Sequence, residues 1–251
     1  MNSPTPLLRL EMVNKTYTLG DSTITALDAV SVTIHTGEFI AVMGPSGSGK
    51  STFLQVASML SEPTTGQIFL HETDVTQYDE IARARLRNKE IGFVFQQFNL
   101  LPRTSAIDNV SLPLIYAGIG ASERKKRAIE FLELVGLSDR LQNTPAQLSG
   151  GQQQRVAIAR ALVNHPSVIF ADEPTGNLDS KSGDEIKDLL TTLHKQGKTI
   201  IMVTHEEDVA AIAKRLIVFK DGKIVRDSAH RGTTKTKSKK QQSDHIKVNI
   251  A

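Results

Sequence analysis

Eight residues, Gly44-Pro45-Ser46-Gly47-Ser48-Gly49-Lys50-Ser51, keep the spacing G-x-x-x-x-G-K-[ST], and that spacing prescribes phosphate binding. Glycines let successive backbone N–H groups converge on a β-phosphate, and the N-terminus of a following helix adds favourable partial charge. Lys50 then reaches the β- and γ-phosphates, and the Ser51 hydroxyl is placed to bind Mg2+. The dinucleotide pattern G-x-G-x-x-G, begun at Gly47, fails because Thr52 occupies its last position.

Two further constellations extend this chemistry. Val168-Ile169-Phe170-Ala171-Asp172-Glu173 ends an apolar run with two carboxylates, at the strand edge where open α/β sheets bind ligands. Asp172 is suited to hold Mg2+ through water, and Glu173 to accept a proton from an attacking water. Taken alone, such a run is as readily a solvated strand end; downstream of a phosphate loop it reads as hydrolytic. Leu148-Ser149-Gly150-Gly151-Gln152 opens a predicted helix. Ser149 is a good N-cap there. Two consecutive glycines, however, weaken a helix start and suit a place where backbone approaches a phosphate closely. This segment has no partner inside its own site, so it reads as a surface that closes over the γ-phosphate held by another copy.

The elements that must position these residues follow from periodicity. Leu7–Val13 and Ser22–His35 alternate apolar and polar residues like half-buried strands. Phe39–Met43 is a short apolar run typical of a buried parallel strand, and Lys50–Leu60 is the helix after the glycine loop. A turn at Pro63–Gly66, a strand at Gln67–Leu70, a helix over residues 79–89 and a strand at Ile91–Phe95 follow. From Gln96 to about Val163 the pattern is helical, with loop signals at Gly118-Ile119-Gly120 and Pro145. Strands return at Val168–Ala171, Thr199–Val203 and Arg215–Phe219, separated by helices over 180–196 and 206–213, before Gly222 turns the chain into Lys223–Arg226. Strands alternating with helices predict a mostly parallel sheet covered on both faces.

Composition bounds the rest. A chain of 251 residues, 39% hydrophobic and 23% charged, has the make-up of an ordinary globular domain that buries a core unaided. It has no run of eighteen apolar residues, and its first fifteen residues lack the pattern of a secretory signal. With no cysteine, disulfides and thiolate–zinc sites are excluded. Seven Lys/Arg against two Asp/Glu lie between Arg226 and Ala251, so the net charge of +3 and the pI near 9.0 belong to the C-terminal end. The body carries no nucleic-acid footprint. Residues 229–251 read as a basic, disordered tail, dispensable for folding.

With LSGGQ at 148–152, the phosphate loop upstream and the Asp-Glu strand end downstream, the chain resembles the ATP-binding-cassette (ABC) ATPases over nearly everything from Leu7 to Arg226. The resemblance implies an α/β P-loop NTPase (RecA-like) core over residues 1–228. An N-terminal antiparallel β subdomain and an inserted α-helical subdomain at about 97–163 would complete it. It also implies ATP as ligand and substrate, with Mg2+. By position, Tyr17 falls where the family stacks an aromatic on adenine, and the ATP-binding loop runs from Gly44 to Thr52. Gln96 falls at the loop that senses Mg2+ and contacts the membrane partner, with Gln97 the alternative by one residue. Ser149, Gly150, Gly151 and Gln152 bind ATP in trans, and Asp179, in Asn177-Leu178-Asp179-Ser180, couples the two sites of a dimer. His205 contacts the γ-phosphate and positions Glu173, making Glu173, His205 and Lys50 the catalytic set, with Ser51, Gln96 and Asp172 around the metal.

GEFIAVMGPSGSGKST, IGFVFQQFNLLPRTSAIDNVSLPL and LSGGQQQRVAIARAL resemble, within the family, the lipoprotein-release and macrolide-export subgroup (the MacB/LolD type). The expectation is an ATPase subunit peripheral on the cytoplasmic face of the membrane. It pairs as a homodimer and energises a transmembrane permease for export, lipoprotein release or periplasmic mechanical work. The competing readings are a soluble cassette ATPase acting on nucleic acid or the translation machinery, and a module that holds ATP without turnover. The single cassette argues against the first, and the filled positions 173 and 205 argue against the second.

Overall fold

The alternating N-terminal residues build a four-stranded antiparallel sheet. In the computed structural model, which describes residues 5–20 and 22–228, its strands are β1 (Pro6–Leu19), β2 (Ser22–His35), β4 (Thr65–Leu70) and β5 (Thr73–Asp74), in the order β2-β1-β4-β5. Strand β1 runs six residues past the expected end because register shifts near Met12 (φ 48°) and Lys15 let it bend and keep pairing with β2. The expected tail, 229–251, lies outside the described residues.

The second sheet has the order β10-β9-β3-β8-β7-β6 and carries the apolar runs. Its strands are β3 (Phe39–Met43), β6 (Ile91–Val94), β7 (Val168–Asp172), β8 (Thr199–Val203), β9 (Arg215–Lys220) and β10 (Lys223–Asp227). All neighbours are parallel except β9 and β10, which turn through Asp221-Gly222 with both residues at positive φ, the geometry a tight hairpin requires. Residues of the central strands alternate between two cores. Phe39, Ile169, Ile200 and Met202 face one, and Ile40, Phe170, Ile201 and Val203 the other. That division explains why the strands read as continuous apolar runs.

The second core is closed by α1 (Lys50–Ala57) and by the antiparallel sheet. Helix α1 ends three residues before its expected end. Met59 takes a left-handed φ of 60°, and the Leu60 and Met59 N–H groups return to the Gln55 and Val56 carbonyls, a Schellman-type stop. Helix α2 (Glu80–Glu90) leads into β6.

The first core is covered by α3 (Ala106–Tyr116), α4 (Ala121–Leu134), α5 (Gly150–Leu162) and α6 (Ser180–Lys195). The helical segment therefore shares its core with the sheet. Backbone meets backbone at Gly92 of β6, where a Cβ would stand 2.5 Å from the Ala161 carbonyl of α5. Helix α7 (Glu207–Ala210) is a single turn instead of the expected 206–213, because the Lys214 N–H is already bonded to the Phe39 carbonyl and starts β9.

Candidate functional site

The glycine loop joins the C-terminal end of β3 to α1, and its glycines are placed by contact as well as by conformation. A Cβ on Gly44 would lie 2.3 Å from the Phe219 carbonyl, and one on Gly49 2.4 Å from the Ala26 carbonyl. Both have positive φ, 150° and 101°. No side chain caps α1, and its first turn carries no acidic residue, so its N-terminal N–H groups and dipole are directed at the loop. The Lys50 ammonium donates to the Gly44 (2.8 Å) and Pro45 (2.9 Å) carbonyls. The Ser48 hydroxyl is buried without a hydrogen-bond partner.

Gly44, Ser46, Gly47, Gly49, Lys50, Ser51 and Thr52 line one cavity of about 430 Å³ together with Glu173 and His205. Gly44 and His205, 161 positions apart in sequence, thus reach one site, because β3, β7 and β8 all end at the same edge of the sheet. Pro45 closes the loop through its carbonyl, which also accepts from the Ser48 N–H at 3.2 Å. Glu173 has a left-handed φ of 43°, and its N–H donates to the Val203 carbonyl. This turn lifts the carboxylate off β7, where Oε1 meets His205 Nδ1 at 2.9 Å. A non-glycine residue at positive φ costs on the order of 1–3 kcal/mol and marks a position the surroundings hold deliberately. The neighbouring Asp172 carboxyl is pushed up from its ordinary pKa, first by burial and then by the charge of Glu173, against the pull of Lys50. Such a group gains from a nearby cation.

Gln96 and Glu173 both border Gly176. A Cβ there would be 3.1 Å from Gln96 Nε2 and 3.3 Å from Glu173 Oε2. Gln97 is exposed and Gln96 half-buried, and neither is among the residues that line the cavity. The Asn177 side chain donates to the Gln96 carbonyl at 2.9 Å. Ser51, Asp172 and Gln96 offer oxygen donors, the set a hard divalent cation takes. Among the described residues no group of three or more His, Cys, Asp or Glu could hold a metal by itself.

Ser149, Gly150, Gly151 and Gln152 do not line this cavity. Ser149 is exposed and caps α5 in a reciprocal box, its Oγ accepting from the Gln152 N–H and its N–H donating to Gln152 Oε1 at 2.9 Å. The second glycine has a reason that sequence reading missed. A Cβ on Gly151 would lie 2.8 Å from Ser182 Oγ, so the first turns of α5 and α6 touch there. Asp179 caps α6, accepting from the Ser182 N–H (3.0 Å) and hydroxyl (2.8 Å), and these bonds, the N–H first, hold its carboxyl below the usual range.

Tyr17 is partly exposed and sits across the β1–β2 ladder from Ile24. On that side Ile24, Thr25 and Ala26 line the cavity, and Tyr17 is not among the lining residues. Sequence reading did not single these three out; their only signal was a place in an alternating strand.

Comparison with known proteins agrees with this geometry. Residues 27–176 match the family model described as ABC transporter. Over 222 residues (88% of this chain), the sequence is 55% identical to the macrolide export ATP-binding/permease protein MacB of Chlorobium phaeobacteroides, of which that match covers 34%. The chain thus spans about a third of the length of such MacB relatives. It is 51% identical over 221 residues, 88% of this chain and 96% of the relative, to the uncharacterized ABC transporter ATP-binding protein YvrO of Bacillus subtilis. The fold matches the ATP-binding cassette MJ0796, solved as a dimer in a post-hydrolysis state bound to ADP and Pi, with a TM-score of 0.82 and 46% identity over 90% of this chain and 100% of that one. The chain belongs to the ABC transporter family, as an ATP-binding and ATP-hydrolysing cassette.

Proposed function

We propose that this cassette works as a pair of identical subunits on the cytoplasmic face of a membrane, with Mg2+, and energises a permease of the export or lipoprotein-release type. The observation that carries this reading is the separation within one chain of two halves of a site. Phosphate loop, Glu173 and His205 share one cavity, while Ser149-Gly150-Gly151 sits apart on an exposed helix start. A second copy, turned to face the first, would lay that helix start over the γ-phosphate. The MJ0796 cassette, solved as a dimer, supports the pairing. The MacB relatives, which carry ATP-binding and permease parts in one polypeptide, support the partner.

In this site Lys50 and the loop amides hold the β- and γ-phosphates. Glu173 takes the proton of the attacking water, and His205, bonded to its carboxylate, fixes its direction. Bound Mg2+ would be held by Ser51, with Asp172 and Gln96 beyond it, and would neutralise charge developing on the phosphates. Asp179 and Ser182, at the seam with the helix start that would face the other nucleotide, are placed to link the two sites.

A groove of about 660 Å³ between α2, β6, α3 and α5 is the surface we assign to the permease. Leu60, Ile81, Phe93, Phe95 and Tyr116 give it apolar walls, and the exposed Arg85 lies at its side. Leu60, Ile81 and Tyr116 are 46%, 65% and 80% exposed, a contiguous apolar surface of the kind that marks an interaction site. Arginines favour an occupant with an acidic residue among apolar ones. Phe95 immediately precedes Gln96, so the occupant would touch the strand that presents the catalytic loop.

The test is Glu173→Gln. The amide keeps size and hydrogen bonding but not basicity, so turnover should fall on the order of 10²–10⁴-fold while ATP still binds. Removing a negative charge beside the γ-phosphate also favours closure, so the variant should elute as a dimer with ATP and as a monomer without it. A variant that hydrolyses at the parent rate refutes the role of Glu173, and one that stays monomeric with ATP bound refutes the shared site.

A further inference from the structure

The last arginine of the segment LSGGQQQRVAIARAL lines the groove described above, and it also holds the loop that carries Gln96. Arg160 lies near the C-terminal end of α5, roughly 16 Å along the axis from Ser149 at 1.5 Å per residue. Its Nη1 donates to the Asn99 carbonyl at 2.5 Å, and its Nη2 to the Phe98 carbonyl at 2.8 Å. Both residues are left-handed, φ 60° at Phe98 and 48° at Asn99, a conformation that a bulky residue keeps only when its surroundings impose it. The turn closes with Phe98 N–H on the Phe95 carbonyl and Asn99 N–H on the Gln97 carbonyl. Gln96 is therefore in a turn pinned from two directions. Asn177 holds its carbonyl from the Glu173 side, and Arg160 gathers the carbonyls of Phe98 and Asn99, two and three residues on, from α5.

We propose that Arg160 is a positioning residue for ATP hydrolysis: its forked guanidinium fixes the turn that brings the Gln96 amide beside Glu173. A guanidinium suits this task because it presents parallel donors in a rigid plane, and two adjacent carbonyls pointing one way need such a fork. A lysine supplies one movable point donor. The inference rests on the hydrolytic reading of Gln96 and Glu173. It adds a link between the helix that begins with the trans-acting Ser149 and the loop that completes the site in cis.

The experiment is a double-mutant cycle between Arg160 and Gln96 on the full chain with ATP and Mg2+. Arg160→Ala should lower kcat on the order of 10–100-fold, the scale of a small misplacement at a reacting centre. ATP affinity should stay at the parent value, and Arg160→Lys should recover part of the loss. In a Gln96→Ala background, Arg160→Ala should cost nothing further, because both act through one group. Hydrogen exchange over residues 96–101 should accelerate in Arg160→Ala, a readout that needs no turnover. If Arg160→Ala does not fold, Arg160→Lys in both backgrounds gives the same comparison. The same fold-loss with and without Gln96, a loss carried by ATP affinity, or unchanged exchange overturns the assignment and leaves the proposed function standing. A parent chain that does not hydrolyse ATP overturns both.

Discussion

Single atoms decide several positions in this cassette. Gly151 is the sharpest case, because a Cβ there would lie 2.8 Å from Ser182 Oγ and 2.9 Å from Ser182 Cβ. Replacing it with alanine would raise helix propensity by about 1 kcal/mol. The added methyl would meet a Cβ that cannot swing away, and overpacking of this kind costs about 1–3 kcal/mol. The clash should win, so Gly151→Ala is expected to lower the stability of the nucleotide-free chain by about 1–2 kcal/mol in thermal denaturation. In a Ser182→Gly background the same substitution should be neutral or stabilising, since the obstructing atoms are gone. Equal loss in both backgrounds would show that the glycine answers to something other than the seam between α5 and α6. Glu173 and Gly44 are set by the same kind of constraint, a positive φ joined to a close backbone neighbour.

At the scale of elements, the loop from Phe95 into α3 separates what the site needs from what the partner surface needs. Asn109 is fully buried and holds the loop before α3, accepting from the Leu101 N–H at 2.8 Å and donating to the Thr104 and Ser105 carbonyls. Leu100 packs against the first core, and Phe98 stands 3.8 Å from the Cβ position of Gly150, whereas Leu101 is 46% exposed. The apolar run 98–101 is therefore partly internal, and the exposed apolar wall is supplied by α2 and the end of α3. Leu100→Asp should destabilise the chain by about 1–3 kcal/mol, because it sets a carboxylate at the half-buried margin of the first core. Ile81→Asp with Tyr116→Asp should melt at the parent temperature, bind ATP as before, and lose the permease in a pull-down. Retention of the permease by that double variant would move the docking surface elsewhere.

For the whole molecule, the two sheets and the last strand are joined by Arg215. It is 7% exposed and bonds Asp227 through Nε and Nη2, and Glu38 and the Thr33 carbonyl through Nη1. That one side chain ties β9 and β10 to the end of β2 and the turn before β3. Ser228 closes the same edge, its N–H and Oγ pairing with the Leu216 carbonyl and N–H. Truncation after Ser228 should therefore leave the melting temperature and ATP binding unchanged. Truncation after Arg226 removes Asp227 and Ser228, and breaking a buried pair of this kind costs about 3–5 kcal/mol. A large loss of stability on the first cut would contradict the reading of residues 229–251 as dispensable.

The sequence by itself carried the phosphate-binding motif and the succession of the strands along the chain. Phosphate binding needs glycines, a lysine and a hydroxyl at fixed local spacing, and a helix start needs its cap within three residues, so both are written in contiguous letters. Apolar runs of four or five residues gave β3, β7 and β8 for the same reason: a strand buried on both faces has no polar side to hide its identity. Tertiary structure alone decided what depends on contacts between distant segments. It set Gln96 against Gly176, gave Gly151 a second purpose against Ser182, stopped α7 after one turn through Lys214 and Phe39, and drew Leu100 against the first core. Propensity and periodicity describe a residue and its near neighbours along the chain. The position of a carbonyl or a hydroxyl brought in from another element is fixed only when the sheets and helices close on each other.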